Sequence, residues 1–136
     1  MPLFSFLTIF AKKRLIMIRD FLLVGIGGAL GSMARYAITL LSSYFAIASE
    51  IGTLTANALG SLLIGIIIAL SKGDMYLLGA VGFCGGFTTF STFSSQALQL
   101  IQNGQRTMGI AYIIASLFVC ILMTWAGIYL ANRFIK

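Results

Sequence analysis

The sequence has little of what soluble enzymes use for chemistry. It contains no histidine, two cysteines and three acidic residues in 136 positions. Cys84 and Cys120 lie far apart without other ligand residues, which argues against a zinc site or a disulfide framework. Asp20, Glu50 and Asp74 each lie at the edge of an apolar run. Hydrolytic and acid–base chemistry is therefore poorly supported, and we expect a protein that is not an enzyme.

Charge is also scarce. Only 9% of the residues are charged, whereas soluble domains carry about a quarter. The chain is 60% hydrophobic with a mean hydropathy of +1.03, and its length suits three or four membrane helices of about 20 residues each. Its basic residues flank apolar runs and form no patch with interleaved aromatics, so nucleic acid is not an expected partner. We predict a multi-pass protein of the cell membrane.

The apolar runs predict an all-α membrane protein whose four spans cover about residues 21–41, 52–70, 75–100 and 108–131. The preceding segment, residues 1–18, contains a short apolar run that cannot span and that ends in three basic residues. No small-residue cleavage site follows it. Met17 is an alternative start, so residues 1–18 are predicted to be a dispensable extension of a four-span unit, residues 19–136.

Charge predicts the orientation. Four spans place both termini on one side of the membrane, and an excess of lysine and arginine marks the cytoplasmic side. The terminal side has the larger set of basic residues, namely Lys12, Lys13, Arg14, Arg19, Lys72, Arg133 and Lys136. The opposite side has Arg106, together with Arg35 if that residue counts as flanking. A start at Met17 would weaken this bias and leaves a dual orientation open.

The first two spans carry small and polar residues. Gly27 and Gly31 form a GxxxG pair that lets helices approach closely. With Gly25 the pair also resembles a dinucleotide fingerprint, but the required strand and downstream acid are missing. Arg35 is either an interfacial arginine or a cation facing a water-filled vestibule. Asn57 needs polar partners in hydrocarbon, and it either bonds a neighbouring helix or lines a polar path with its NH₂ group available to an anion.

The third span combines glycines, hydroxyls and aromatic rings. Gly82, Gly85 and Gly86 predict a helix break at its centre. A break leaves carbonyl and N–H groups unpaired, and in a bilayer such ends persist only inside protein or along a cavity. The carbonyl end suits a cation and the N–H end suits an anion. The sequence therefore predicts an ion site at a broken helix.

The segment after the break is predicted to be helical. Phe90 and Phe93 neighbour each other on one face, in hydroxyl-rich company. The pair either packs or presents the positive edges of its rings to a small anion. Residues at steps of four also give a weakly polar track on the fourth span, namely Tyr112, Ser116, Cys120 and Thr124.

Three segments carry a resemblance to a known family: Gly27–Tyr36, Gly52–Ser61 and Gly82–Ser94. Over about residues 19–132 the chain resembles the Fluc/CrcB fluoride channels. The resemblance implies a fluoride-selective channel that lowers cytoplasmic fluoride by passive efflux. It also implies an antiparallel, dual-topology-type dimer with two narrow pores and a central structural sodium ion that is not transported.

By position, the resemblance assigns roles to individual residues. Backbone carbonyls of Gly85 and Thr88 would hold the sodium, and Arg35 would be the family arginine of the first helix. The fluoride pathway would comprise Asn57, Phe90, Phe93, Thr92, Tyr112 and Ser116. The chain departs from the family at Gln96, where glutamate is usual, and at Cys120, where serine is frequent. The partner would be an identical subunit or, as the charge bias favours if residues 1–16 are made, a paralogous one.

Three alternative functions fit the sequence less well. A potassium filter needs Thr-Val-Gly-Tyr/Phe-Gly, whereas Ala80 and Cys84 break that pattern around Val81-Gly82-Phe83. A proton-coupled exporter needs a titratable group within the membrane, and no span interior has an acid or histidine. A non-transporting scaffold would explain the GxxxG pair but not the polar third span.

Overall fold

The computed structural model describes the backbone of residues 2–134 and the side chains of residues 13–134. Met1, Lys136 and the side chain of Lys12, which entered the predictions above, lie outside the described residues. Over residues 2–134 the chain forms helices and no strand. Four helical segments are long and apolar enough to cross a membrane: Lys13–Tyr44, Ser49–Leu70, Asp74–Gln102 and Arg106–Phe134. The predicted all-α, four-span membrane fold is confirmed.

Three of the spans are continuous helices. These are α1 (Pro2–Tyr44), α2 (Ser49–Leu70) and α6 (Arg106–Phe134). At about 1.5 Å per residue, the 43 residues of α1 extend about 64 Å, roughly twice the thickness of a bilayer's hydrocarbon core. No interruption separates residues 2–18 from the first span, and the dispensability of the predicted extension, residues 1–18, stays a prediction.

The third span is interrupted, as predicted. It consists of α3 (Asp74–Tyr76), a π-helical segment (Leu77–Cys84), α4 (Gly85–Phe87) and α5 (Phe90–Gln102). Thr88 and Thr89 between α4 and α5 have extended backbone, with ψ of 155° and 107°. The break therefore lies just past the glycines rather than at them. Gly82, Gly85 and Gly86, which we expected to form the break, are helical.

These glycines serve close packing instead. A Cβ atom on Gly27 would collide with the carbonyl of Leu78, and one on Gly31 would collide with the carbonyl of Phe83. A Cβ on Gly86 would in turn collide with the backbone of α1. The predicted close approach at the GxxxG pair is confirmed, and it holds α1 directly against the half of the third span that precedes the break.

The remaining spans also pack through small residues. Gly65 of α2 contacts the backbone of α6 near Thr124, and Gly127 of α6 contacts the backbone of α2 near Leu62. Gly109 of α6 likewise lies against α5. Such contacts are how membrane helices gain van der Waals packing. Together they hold α2 and α6 beside the break, where the polar residues of the chain converge.

Candidate functional site: a cavity at the helix break

The side chain of Asn57 pairs with the backbone at the break. Its Nδ2 donates to the carbonyl of Thr89 at 3.1 Å, and its Oδ1 accepts from the Thr89 N–H at 2.7 Å. One side chain of α2 thus satisfies both backbone groups of a residue that has left the helix, as backbone in a membrane requires. Asn57 thus bonds the neighbouring span at its break rather than within a helix, and the second N–H of its amide remains as a donor.

Thr89 also starts the next helix. Its Oγ1 accepts from the N–H of Thr92 at 3.3 Å, which makes Thr89 the N-cap of α5. The same hydroxyl donates to Thr92 Oγ1 at 3.0 Å. On the other side of the break, Thr88 Oγ1 donates to the Cys84 carbonyl at 2.9 Å. Both threonines therefore turn their hydroxyls back onto the chain and fix the geometry of the break.

The Gly85 and Thr88 carbonyls lose their usual helical partners as a result. In a continuing helix the Thr89 N–H would bond the Gly85 carbonyl and the Thr92 N–H would bond the Thr88 carbonyl. Here those donors go to Asn57 and to Thr89 Oγ1 instead. Gly85 is exposed, with no other atom within 4 Å of where its Cβ would stand. Unwound carbonyls of this kind suit a hard cation such as Na⁺.

Of the two carbonyls between them, those of Gly86 and Phe87, the Gly86 carbonyl is occupied. Gly86 accepts a hydrogen bond from Arg35 Nε at 3.2 Å and a longer one from Ser32 Oγ at 3.4 Å. Arg35, half-buried, thereby places its guanidinium at the carbonyl end of the first half-helix, where a positive charge is favoured. This contact gives Arg35 a structural role, whichever way the other N–H groups of its guanidinium face.

A cavity of about 340 Å³ opens beside the break. We call it the break cavity, and its walls include Asn57, Ser61, Cys84, Gly85, Thr88, Phe90, Phe93, Ser116 and Cys120. The Phe90 and Phe93 rings lie 5.4 Å apart at 53°. Phe93 is 7% exposed whereas Phe90 is 73% exposed, so one ring belongs to the interior and the other to the outer surface of the chain. Four of the six predicted pathway residues meet here.

Ser116 supplies a buried hydroxyl to this cavity that has no partner among the described residues. It is 5% exposed, and no atom among the described residues hydrogen-bonds its buried Oγ. Leaving such a group unpaired costs about 1–3 kcal/mol, so a bound ligand or water is its expected partner. Further along α6, Thr124 Oγ1 donates to the Cys120 carbonyl at 3.0 Å, so the hydroxyl track does not continue as a line of free donors.

The other two predicted pathway residues, Thr92 and Tyr112, lie at or next to a second cavity. Thr92 and Gln96 line a second cavity of about 340 Å³, the polar pocket, with Thr39, Ser42, Ser43, Ile47, Ser49, Gly52 and Thr53. Tyr112 OH donates to Gln96 Oε1 at 2.9 Å. The Tyr112 ring lies 5.3 Å from the Phe93 ring, which lines the break cavity. The Phe93–Tyr112 pair therefore stands between the two cavities.

Sequence reasoning missed two parts of this site. Thr89 belongs to the segment after the glycines that was predicted to be helical, yet it is the extended residue that Asn57 holds. A threonine directly before the amphipathic run Phe90–Gln102 was an available N-cap signal. Ser32 gave no signal, because its bond to the Gly86 carbonyl depends on how α1 packs against α4.

Four apolar spans, one of them interrupted, with carbonyls and hydroxyls at the interruption, define a multi-pass membrane protein of the channel or carrier kind. Comparison with protein families narrows this class. The family described as CrcB-like protein, Camphor Resistance (CrcB), matches residues 22–128. The chain belongs to this family.

Individual relatives agree over nearly their full length. A fluoride-specific ion channel FluC from Gloeothece citriformis is 42% identical over 120 residues, covering 84% of this chain and 98% of the relative. The FluC of Gloeobacter violaceus is 43% identical over 124 residues, covering 86% and 98%. That of Campylobacter jejuni is 40% identical over 117 residues, covering 82% and 96%. This kinship places the chain among membrane transport proteins rather than enzymes.

Proposed function

We propose that the chain is a subunit of a fluoride channel that lowers cytoplasmic fluoride by passive efflux across the cell membrane. The observation that carries the proposal is the break cavity, where Asn57, Phe90, Phe93 and the unpartnered Ser116 Oγ converge. The relatives described above bear the name of fluoride-specific channels.

The cavity offers a small anion what water offers it. Fluoride is small and strongly hydrated, so leaving water requires close replacement donors. The second N–H of Asn57 and the O–H of Ser116 are such donors, and the positive edges of the two phenyl rings add weaker attraction without a full charge. A pathway narrow enough for these contacts would suit the larger chloride ion badly.

The polar pocket supplies the approach on one side. Its hydroxyls and the Gln96 amide are positioned to accept a partly hydrated ion, which then meets Thr92 and the Tyr112 hydroxyl before it passes Phe93. Arg35 adds positive charge to the protein near the break and favours anions over cations. The proposed pathway residues include no acid and no histidine, and a passive channel requires none.

A second subunit would complete the site. Phe90 and Gly85 are both exposed although each belongs to the break, and a large aromatic ring beside a polar backbone turn is an expected contact surface. The partner in this proposal is an antiparallel subunit, either an identical copy or a paralogous chain. An antiparallel pair has two equivalent pathways, one for each broken helix.

The free carbonyls fit the structural sodium that the family resemblance implies. Gly85 and Thr88 would hold it, since both carbonyls have lost their helical partners and Gly85 has open space beside it. When bound there, the ion would supply positive charge that ties the half-helix ends together, and it is not transported.

Fluoride release from liposomes tests the proposal. Purified protein is reconstituted into vesicles loaded with potassium fluoride, and efflux is followed with a fluoride electrode after valinomycin is added. We expect rapid fluoride release. In matched vesicles loaded with potassium chloride and read with a chloride electrode, we expect no chloride release above background. Release no faster than from empty vesicles would contradict the proposal, and it would leave the scaffold alternative in its place.

A further inference from the structure

Side chains from other helices determine which carbonyls at the break are hydrogen-bonded and which lose their helical donor. The Gly86 carbonyl is occupied by Arg35 and Ser32 of α1. The Gly85 carbonyl has lost its natural helical partner, the Thr89 N–H, because Asn57 of α2 holds that group. A side chain on one helix thus decides what a carbonyl on another can bind.

We propose that Asn57 is a positioning residue for a cation site at the Gly85 and Thr88 carbonyls, in addition to lining the break cavity. The inference rests on the proposed function, because it concerns the sodium site of that channel. It adds that the anion pathway and the cation site share one side chain.

The geometry of the amide supports this dual role. Asn57 uses Oδ1 and one N–H on Thr89, at 2.7 Å and 3.1 Å, and it lines the break cavity at the same time. These two bonds hold Thr89 in its extended conformation, with ψ of 107°. Without them the Thr89 N–H would sit unpaired in an apolar setting, and the closest remedy is to rejoin the helix and bond the Gly85 carbonyl.

Thr89 carries the same argument for the second carbonyl. Its Oγ1 accepts the Thr92 N–H, which would otherwise bond the Thr88 carbonyl. Thr89 is not a wall of the break cavity, since the cavity's lining passes from Thr88 to Phe90. Its loss should therefore reach the cation site through the backbone rather than through the break cavity.

The test measures sodium binding by its effect on unfolding. The full-length protein is purified in detergent, and its thermal midpoint is recorded against NaCl, with N-methyl-D-glucamine chloride keeping chloride and ionic strength constant. We expect wild-type protein to be stabilised with a definable half-saturating sodium concentration. Asn57→Ala and Thr89→Val should each raise that concentration about tenfold or more, because a tenfold change corresponds to ~1.4 kcal/mol, the size of about one hydrogen bond.

Ser116→Ala is the matched control. It removes a donor from the break cavity, but the Ser116 hydroxyl hydrogen-bonds neither Thr89 nor the two carbonyls. Its half-saturating sodium concentration should equal that of wild-type protein even if its fluoride release is slower. Equal shifts in the control and in Asn57→Ala would overturn the proposal, since they would reflect general damage to the cavity.

The remaining outcomes are also decisive. Wild-type sodium response in both Asn57→Ala and Thr89→Val contradicts the positioning role. If Asn57→Ala does not fold, Thr89→Val alone decides. Absence of any sodium response in wild-type protein that still releases fluoride overturns this inference and leaves the channel function standing. A sodium response without fluoride release would overturn the channel function and leave the cation site standing.

Discussion

Arg35 donates from Nε to the carbonyl of Gly86 at 3.2 Å, across the contact between the first helix and the end of α4. Because this carbonyl has no helical partner beyond the break, we expect Arg35→Ala to lower the free energy of unfolding by about 1–3 kcal/mol. Arg35→Lys should recover only part, since an ammonium cannot reproduce the directed Nε–H bond. Chemical unfolding in detergent gives the measurement.

The control for Arg35 is another arginine of the same helix. Arg19 pairs with Asp74 at 2.9 Å, but its side chain is 55% exposed. Exposed pairs contribute about 0–1 kcal/mol, so Arg19→Ala should be nearly silent. Equal losses from the two substitutions would show that the Gly86 bond has no special weight.

The phenylalanine pair should separate conduction from stability. Phe90 is 73% exposed on the chain, and isoleucine keeps an apolar side chain at the proposed subunit contact. Phe90→Ile should therefore cost little stability and leave dimer assembly intact, yet it should nearly abolish fluoride release. Phe93 is 7% exposed and packs on Tyr112, so Phe93→Ala should also lower the free energy of unfolding, by about 3 kcal/mol. Electrode traces and unfolding curves on the same preparations measure both effects. Wild-type release from Phe90→Ile would remove the ring-edge role.

Much of this fold could be predicted because membrane burial constrains the backbone so strongly. The four apolar runs had no alternative to spanning helices, and the GxxxG pair had one obvious use in close packing. The break was also foreseeable, but its position was not. Gly82, Gly85 and Gly86 stay helical because α1 packs directly on them, and the residues that leave the helix are the threonines that follow.

The site was predictable in membership rather than in geometry. Residue types on one helical face indicated Asn57, Phe93 and Ser116, and the structure brings them to one cavity. The Thr89 bonds to Asn57 could not be predicted, because they depend on the relative height of α2 and the break. Spacing within one helix carries no information about that height.

Tyr112 and Gln96 should behave as a unit. The Tyr112 hydroxyl donates to Gln96 Oε1 at 2.9 Å where the polar pocket meets the Phe93 ring. Tyr112→Phe keeps the ring contact and removes this bond, so we expect slower fluoride release and a loss of about 1 kcal/mol in the free energy of unfolding. Gln96→Leu should do the same, and the double variant should lose less than the sum of the two, since both remove one shared bond. Additive losses would show that the two side chains act independently.

Close packing at the first helix gives the last prediction, because α1 offers a glycine that packs and a glycine that does not. A Cβ on Gly31 would collide with the Phe83 carbonyl and lie 2.9 Å from the Phe87 N, and backbone atoms cannot yield as a side-chain end can. A Cβ on Gly25 would meet no atom within 4 Å. Gly31→Ala should therefore force α1 away from the third span, lower the yield of monodisperse protein and reduce fluoride release.

Gly25→Ala should leave the free energy of unfolding unchanged or raise it by about 0.5–1 kcal/mol, because alanine is the better helix former. Size-exclusion profiles and unfolding curves of the two variants provide the comparison. A stable, conducting Gly31→Ala variant would mean that the helices can separate at this point without moving the break. If Gly25→Ala is instead the damaging change, the outer face of α1 at Gly25 is covered by the partner subunit.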